Sequence, residues 1–302
     1  MERRQIEYFL AVIDHGSITA AASALHVSQP SLSHAVKLLE SDLGAELFHR
    51  MPRGVRLTPA GEAFAGQARL IVREMETGRA VVKAVSGLVA GRLDLIALPG
   101  VLLDPLAAVI GQFRSRHPQV RVRVTSAERP EEVREAVRSG AVELGLTDHL
   151  DPTERDLTGE LVTEQDMMLA LPPGSAPPPG GVVRVPDLLD LDMVTGVRDL
   201  VVEVLAGAGV ESSAAFTPAV ETDLRGSSLY LVLAGAGAAI LPHTLAELGR
   251  AAGLVIVPFD PPQRRHSYVL RRAASLSPAA QAMYSLLLRY EDDRSTPRSG
   301  RG

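Results

Sequence analysis

Residues 17–61 constrain this chain more than any other stretch: SITAAASALHVSQPSLSHAVKLLESDLGAELFHRMPRGVRLTPAG. Ser17 is an N-cap residue type ahead of an alanine-rich run ending near Leu25. Ser28 offers a second cap, with Pro30 tolerated in the first turn of the helix that follows. That helix buries Leu32, Val36 and Leu39, with Ala35 beside them, and turns Gln29, Ser33 and Lys37 to another face. Gly44, Pro52 and Gly54 then break the chain into short pieces carrying Arg50, Arg53 and Arg56, with no acid from residue 47 to residue 61. Two helices joined by a tight turn, with an arginine-bearing hairpin behind, predict a winged helix-turn-helix and hence a DNA-binding head.

Upstream, Ile6, Phe9, Leu10 and Ile13 predict a helix over residues 3–14. Downstream, Thr58-Pro59 opens a long helix to about residue 86. Along it Phe64, Ala68, Ile71, Met75, Gly78, Val82 and Val85 alternate in steps of four and three, the seam of a coiled coil. Such a helix cannot bury two faces alone, so dimerisation through Phe64, Ala68, Ile71, Met75 and Val82 is expected. Gly87 and Gly91 bracket a hinge.

From residue 92 strands alternate with helices. Strands are expected at 93–98, 120–125 and 142–147 and helices at 104–116 and 131–139, a β-α-β-α-β unit with a parallel sheet. A second round has strands at 167–171, 192–195, 215–221, 238–241, 255–259 and 268–271. Its helices are expected at 186–191, 200–208, 227–234 and 277–290. Two successive α/β lobes predict a cleft lined from the loops beyond the strand ends. Gly100, Val101, Ser126, Thr147, Thr195, Arg198 and Thr222 fall there and are the expected effector contacts. The division is a head (1–58), a linker helix (59–88), a two-lobed domain (89–292) and a disordered tail (293–302). Lobe I takes about 92–162 and 267–292, and lobe II about 163–266.

Composition closes other routes. The 302 residues include no cysteine, so disulfides, thiolate metal sites and cysteine nucleophiles are absent. The eight histidines show no metal-ligand spacing, and Gly235-Ala236-Gly237 follows an apolar helix rather than a strand, so no dinucleotide fingerprint and no enzyme is read from them. No secretory signal or membrane-spanning run is seen, which predicts a cytoplasmic protein without a membrane partner. The net charge of −5 matters less for DNA than where the cations sit.

Leu25-His26-Val27-Ser28-Gln29-Pro30-Ser31-Leu32-Ser33 after Ala21-Ala22, then Leu38-Leu39-Glu40, Leu43-Gly44, Leu47-Phe48 and Leu57-Thr58-Pro59-Ala60-Gly61, together resemble the LysR-type transcriptional regulators. Phe113 with His117-Pro118, and residues 232–242, extend the resemblance more loosely to residue 290. It implies a winged helix-turn-helix, a linker-helix dimer and a two-lobed effector domain shaped like a type 2 periplasmic binding protein. It also implies a homodimer or homotetramer on an interrupted palindrome in a promoter, RNA polymerase as a further partner, and a small-metabolite effector without a bound cofactor. By position, Ser28, Gln29, Pro30, Ser31, Ser33, His34, Lys37, Arg50 and Arg53 are the expected DNA contacts. Gln29 and Ser33 meet base edges or adjacent phosphates, and Arg53 reaches the minor groove or its phosphates. His34 stands where the family usually has Arg, removing a fixed charge and a bidentate fork. At residues 99–103 a hydroxyl that commonly holds a carboxylate is replaced by Gly100, Val101, Leu102 and Leu103, which disfavours a small polar acid. A solute-binding protein without DNA, and a regulator needing no effector, are the competing readings.

Overall fold

The computed structural model describes residues 1–51, 54–84, 91–101, 105–151, 153–196, 200–210, 216–222 and 226–290. The head comprises α1 (Arg3–His15), α2 (Ile18–Ala24), α3 (Gln29–Leu43), β1 (Phe48–Arg50) and β2 (Val55–Leu57). Both expected caps form: Ser17 Oγ accepts the Ala20 N–H at 3.1 Å and Ser28 Oγ accepts the Ser31 N–H at 3.3 Å. Between them His26 is left-handed (φ 54°), the bend that turns the chain from α2 into α3 within four residues. Phe9 is wholly buried at the centre, its ring 5.2 Å from Phe48 and 5.3 Å from Phe64. One aromatic side chain therefore ties α1 to the wing and to α4 (Pro59–Ala84).

This corrects the expected seam. Phe64, Ala68 and Ile71 belong to the head's own core, and Ala68 has no exposed surface left for a partner. Met75 and Val82 are exposed, at 44% and 72%. A four-three repeat serves a helix packed on its own domain as well as one packed on a copy, and its first half here serves the head. Val85 and the hinge glycine Gly87 lie outside the described residues.

Beyond the linker come β3 (Gly91–Ala97), α5 (Pro99–Val101), α6 (Ala107–Arg116), β4 (Val120–Ser126), α7 (Pro130–Arg138) and β5 (Leu144–Thr147). Strand β3 pairs in parallel with β4 on one side and β5 on the other, as the β-α-β-α-β reading requires. Then follow β6 (Leu157–Leu171), β7 (Val194–Gly196), α8 (Leu200–Gly207), β8 (Val220–Thr222), α9 (Ser228–Leu233), β9 (Ala239–Pro242), α10 (His243–Ala251), β10 (Val255–Arg272) and α11 (Pro278–Leu288). The sheet order is β4-β3-β5-β10-β6-β9, with β7 and β8 paired in parallel and bridged to the chain before β9 through Met193 and Ala238. One core lies over β3, β4 and β5, and two more flank β6, β9 and the start of β10. The long antiparallel strands β6 and β10 run through both lobes and join them.

Four expectations change. Strands 255–259 and 268–271 are one strand, β10, and strand 167–171 is the end of the longer β6. The register shifts between Ser267 and Tyr268 and, more widely, between Pro258 and Gln263, where a bulge absorbs the prolines that have no N–H to donate. Residues Val185–Asp190 form a 3-10 turn rather than an α-helix, and among the described residues of strand 215–221 the strand begins only at Val220. Helix α10 was not expected. It follows β9 at once, with Pro242 at its N-cap and no capping side chain.

Candidate nucleic-acid interface and effector cleft

The recognition helix α3 buries Leu32, Val36 and Leu39, which fixes the opposite side chains outward. Ser28, Gln29, Pro30, Ser31, His34 and Lys37 are exposed and Ser33 half-buried. The side chains of Gln29, Ser33, His34 and Lys37 hydrogen-bond no described residue, although each carries donors or acceptors. Four such groups on one face leave a hydrogen-bonding surface unspent.

The wing is fastened to α3 by a residue to which sequence reasoning gave no role of its own. Glu40 Oε1 accepts the N–H groups of Leu47 and Phe48 at 2.8 and 3.3 Å. Thr58 donates to the Glu46 carbonyl at 2.6 Å and accepts the Gly61 N–H at 3.0 Å, closing the wing's far end onto α4. Gly61 has no side chain because the Leu47 carbonyl fills that space. Glu40, Thr58 and Gly61 were visible as motif residues, but only the fold shows that they place the wing. At its tip Gly54 (φ 84°) rests on the α1–α2 turn, and Val55 N–H donates to the Gly16 carbonyl at 3.1 Å. Arg50 ends β1, Arg56 is exposed on β2, and Arg53 lies outside the described residues.

In the α/β domain the parallel strands bring three expected effector residues to one edge. Ser126 pairs with Ala97, next to Pro99 and Gly100, and Thr147 ends the adjoining β5. Ser126 is exposed, whereas Val101 is buried in the lobe I core and Thr147 is fully buried. Thr147 Oγ1 accepts the His149 N–H at 3.3 Å, the strand-end turn chemistry of a threonine. In lobe II, Thr222 Oγ1 lies 3.3 Å from Ser227 Oγ. Thr195 Oγ1 is buried with no hydrogen-bond partner among the described residues. Arg198, like Leu102 and Leu103, lies outside them.

The structure adds two residues here. Arg265, on β10, ion-pairs with Asp148 just past β5 and lays its guanidinium where a Cβ of residue 100 would stand. Around it the joining strands turn a polar row inward, Arg265 opposite Gln165 and Ser267 opposite Thr163, with Thr163, Gln165 and Ser267 buried. The alternate residues face solvent and neutralise one another, Arg264 pairing with Glu164 at 2.7 Å and Asp166 at 3.1 Å. Alternating charge hid this row from a hydrophobicity pattern.

A winged helix-turn-helix on a linker helix, followed by a two-lobed α/β domain, is the class of DNA-binding transcriptional regulators carrying an effector domain. Residues 3–62 match the bacterial regulatory helix-turn-helix proteins of the lysR family, and residues 86–291 match the LysR substrate-binding domain. The chain belongs to the LysR family of transcriptional regulators. It is 32% identical over 255 residues to the HTH-type transcriptional regulator ClcR of Pseudomonas putida, covering 82% of this chain and 85% of that one. It is 30% identical over 280 residues to a probable hydrogen peroxide-inducible genes activator of Mycobacterium leprae, covering 89% and 88%. The fold is shared with a full-length OxyR variant from Pseudomonas aeruginosa (TM-score 0.70, 22% identity, 96% and 95% covered). It is shared also with CbnR solved with its target DNA (TM-score 0.64, 23% identity, 96% and 100% covered). Among the described residues no helix is long and apolar enough to cross a membrane.

Proposed function

We propose that this regulator binds an interrupted palindrome in a promoter as a homo-oligomer in the cytoplasm, and that a small molecule between the lobes of residues 89–292 tunes it. The carrying observation is the unspent polar face of α3 beside a wing locked to it by Glu40. Gln29 and Ser33 read base edges, Lys37 and Arg50 neutralise phosphates, and Arg53 enters the minor groove. Ser28, Pro30 and Ser31 bring the helix N-terminus against the backbone, where its N–H groups favour phosphate. His34 takes the place of a fixed cation, so its contact is weaker and less dependent on salt. Dimerisation rests on the exposed end of α4, where Met75, Gly78, Arg79 and Val82 line an apolar depression. Arg198 and Thr195 take part in effector binding from lobe II. No reaction is assigned to the protein. Having no cysteine, it cannot answer peroxide through a thiol, whatever its likeness to a peroxide-responsive activator.

The test is fluorescence anisotropy with the intergenic DNA upstream of the gene and an equal-length scrambled duplex, over a salt series. Tight binding to the first alone supports the reading. Equal binding to both, falling steeply with salt, refutes base reading and leaves phosphate contact only.

A further inference from the structure

The loop after β3 carries no hydroxyl for an acid, since Gly100 stands there. The structure fills that gap from another strand. Because residue 100 has no Cβ, the Arg265 guanidinium lies directly on its backbone, at the same edge as Ser126 and Thr147. Arg265 is held from behind by Asp148, whose side chain is 7% exposed against 23% for Arg265. The carboxylate is thus the inner member of the pair and the guanidinium the outer, solvent-reachable one. Only Nη2 is engaged, leaving the Nε–H and Nη1–H of Arg265 with no partner among the described residues. Guanidinium donors form a planar fork that matches a carboxylate. Buried Thr163, Gln165 and Ser267 lie on the same face of the joining strands, a place an apolar core would otherwise fill. Arg264 and His266 point the other way and are matched by Glu164 and Asp166.

We infer that Arg265 is the specificity-determining residue of the cleft, that it selects an effector bearing a carboxylate, and that Asp148 is its positioning residue. This rests on the reading that the lobes hold an effector. It reverses the expectation from residues 99–103 that a small acid is disfavoured. The carboxylate takes the open edge of Arg265 while Asp148 keeps the other, so neither charge is stripped of its partner on binding.

The experiment is calorimetric titration of the full chain with acetate, succinate, adipate, benzoate and salicylate, each beside its neutral amide. The expected result is binding of at least one acid, with its amide about 10-fold weaker or worse, since a hydrogen bond between charged groups outweighs a neutral one. Arg265→Gln should weaken that acid about 10- to 100-fold and bring the acid-to-amide ratio close to one. Arg265→Gln combined with Asp148→Asn leaves no lone buried charge and should show the same lost preference, which separates the effect from misfolding. Asp148→Asn alone should reduce the ratio, a readout that lost stability does not move. An unchanged ratio in Arg265→Gln overturns the inference. Amides binding without acids overturns it too but leaves the effector reading standing. Silence from every compound overturns the inference and withdraws its support from the effector reading.

Discussion

Helix α4 is docked on lobe I where Leu70 and Arg73 meet the turn at Gly140, and removing the arginine has a calculable cost. Arg73 donates through Nε to the Gly140 carbonyl at 2.6 Å and through Nη2 to the Ala141 carbonyl at 2.5 Å. Its Nη1 stands 3.6 Å from Glu143, which accepts the Ser277 N–H at 2.7 Å and hydroxyl at 2.8 Å. Burial pulls the Arg73 pKa down against the opposing pull of Glu143 and Asp94, so desolvation outweighs the charge pairing. The contribution of Arg73 therefore resides mainly in the two carbonyl bonds. Hydrogen bonds from a charged donor contribute about 1.5–3 kcal/mol each. Ordering the arginine costs about 2 kcal/mol, which leaves about 1–4 kcal/mol net. Arg73→Met keeps the apolar stem and removes the donors, and should lower unfolding free energy by about 2 kcal/mol, measured by urea titration. In a double-mutant cycle with Glu143→Gln the coupling should be about 1 kcal/mol or less, because 3.6 Å is long for a charged hydrogen bond. A loss below about 0.5 kcal/mol for Arg73→Met would show that water replaces these bonds freely, and the argument for docking would fail.

Three other changes test the DNA-binding parts. Gln29→Ala should weaken operator binding by about 1–3 kcal/mol in anisotropy while leaving a scrambled duplex unaffected. An equal loss on both would make Gln29 a phosphate contact. His34→Arg restores a fixed cation and should steepen the slope of log affinity against log salt by about one. An unchanged slope would place residue 34 away from the backbone. Met75→Glu with Val82→Glu puts charge on the exposed end of α4 and should shift sedimentation velocity toward monomer, with the head's circular dichroism and melting unchanged. A persisting oligomer would move the interface off this helix.

The head was legible because its determinants are local. Ser17, Ser28 and Thr58 cap helices within three residues of themselves, and Gly44 adopts a left-handed turn that needs no distant partner. The seam of α4 was legible only as a period: spacing shows that Phe64 and Val82 share a stripe, but not that Phe9 claims Phe64. The middle of β6 and β10 was illegible for a different reason. Both faces there are polar, one because Arg264, Glu164 and Asp166 pair in solvent and one because Arg265, Gln165 and Thr163 form the inward polar row. Sequence alternation needs an apolar face to be seen, and a ligand cleft is where the fold withholds one.

The same geometry joins the cleft to the linker. Strand β5 has Glu143 immediately before it and Thr147 and Asp148 at its far end. The residue that receives Arg73 and the residue that holds Arg265 are therefore separated by one short, fully buried strand, about 17 Å at the usual rise. Packed between β3 and β10, that strand has little freedom to bend, and a shift at one end displaces the other as a unit. Helix α7 runs alongside, from the loop after Ser126 to the Gly140 and Ala141 carbonyls that Arg73 grips. A ligand that re-aims Arg265 thus acts on Asp148, β5 and Glu143 in turn, and on α4 last. With an acid that binds, hydrogen exchange along α4 should change in the wild type and stay unchanged in Arg73→Met, although calorimetry shows the acid still bound. Equal changes in both proteins would mean that the cleft reaches the linker by another route.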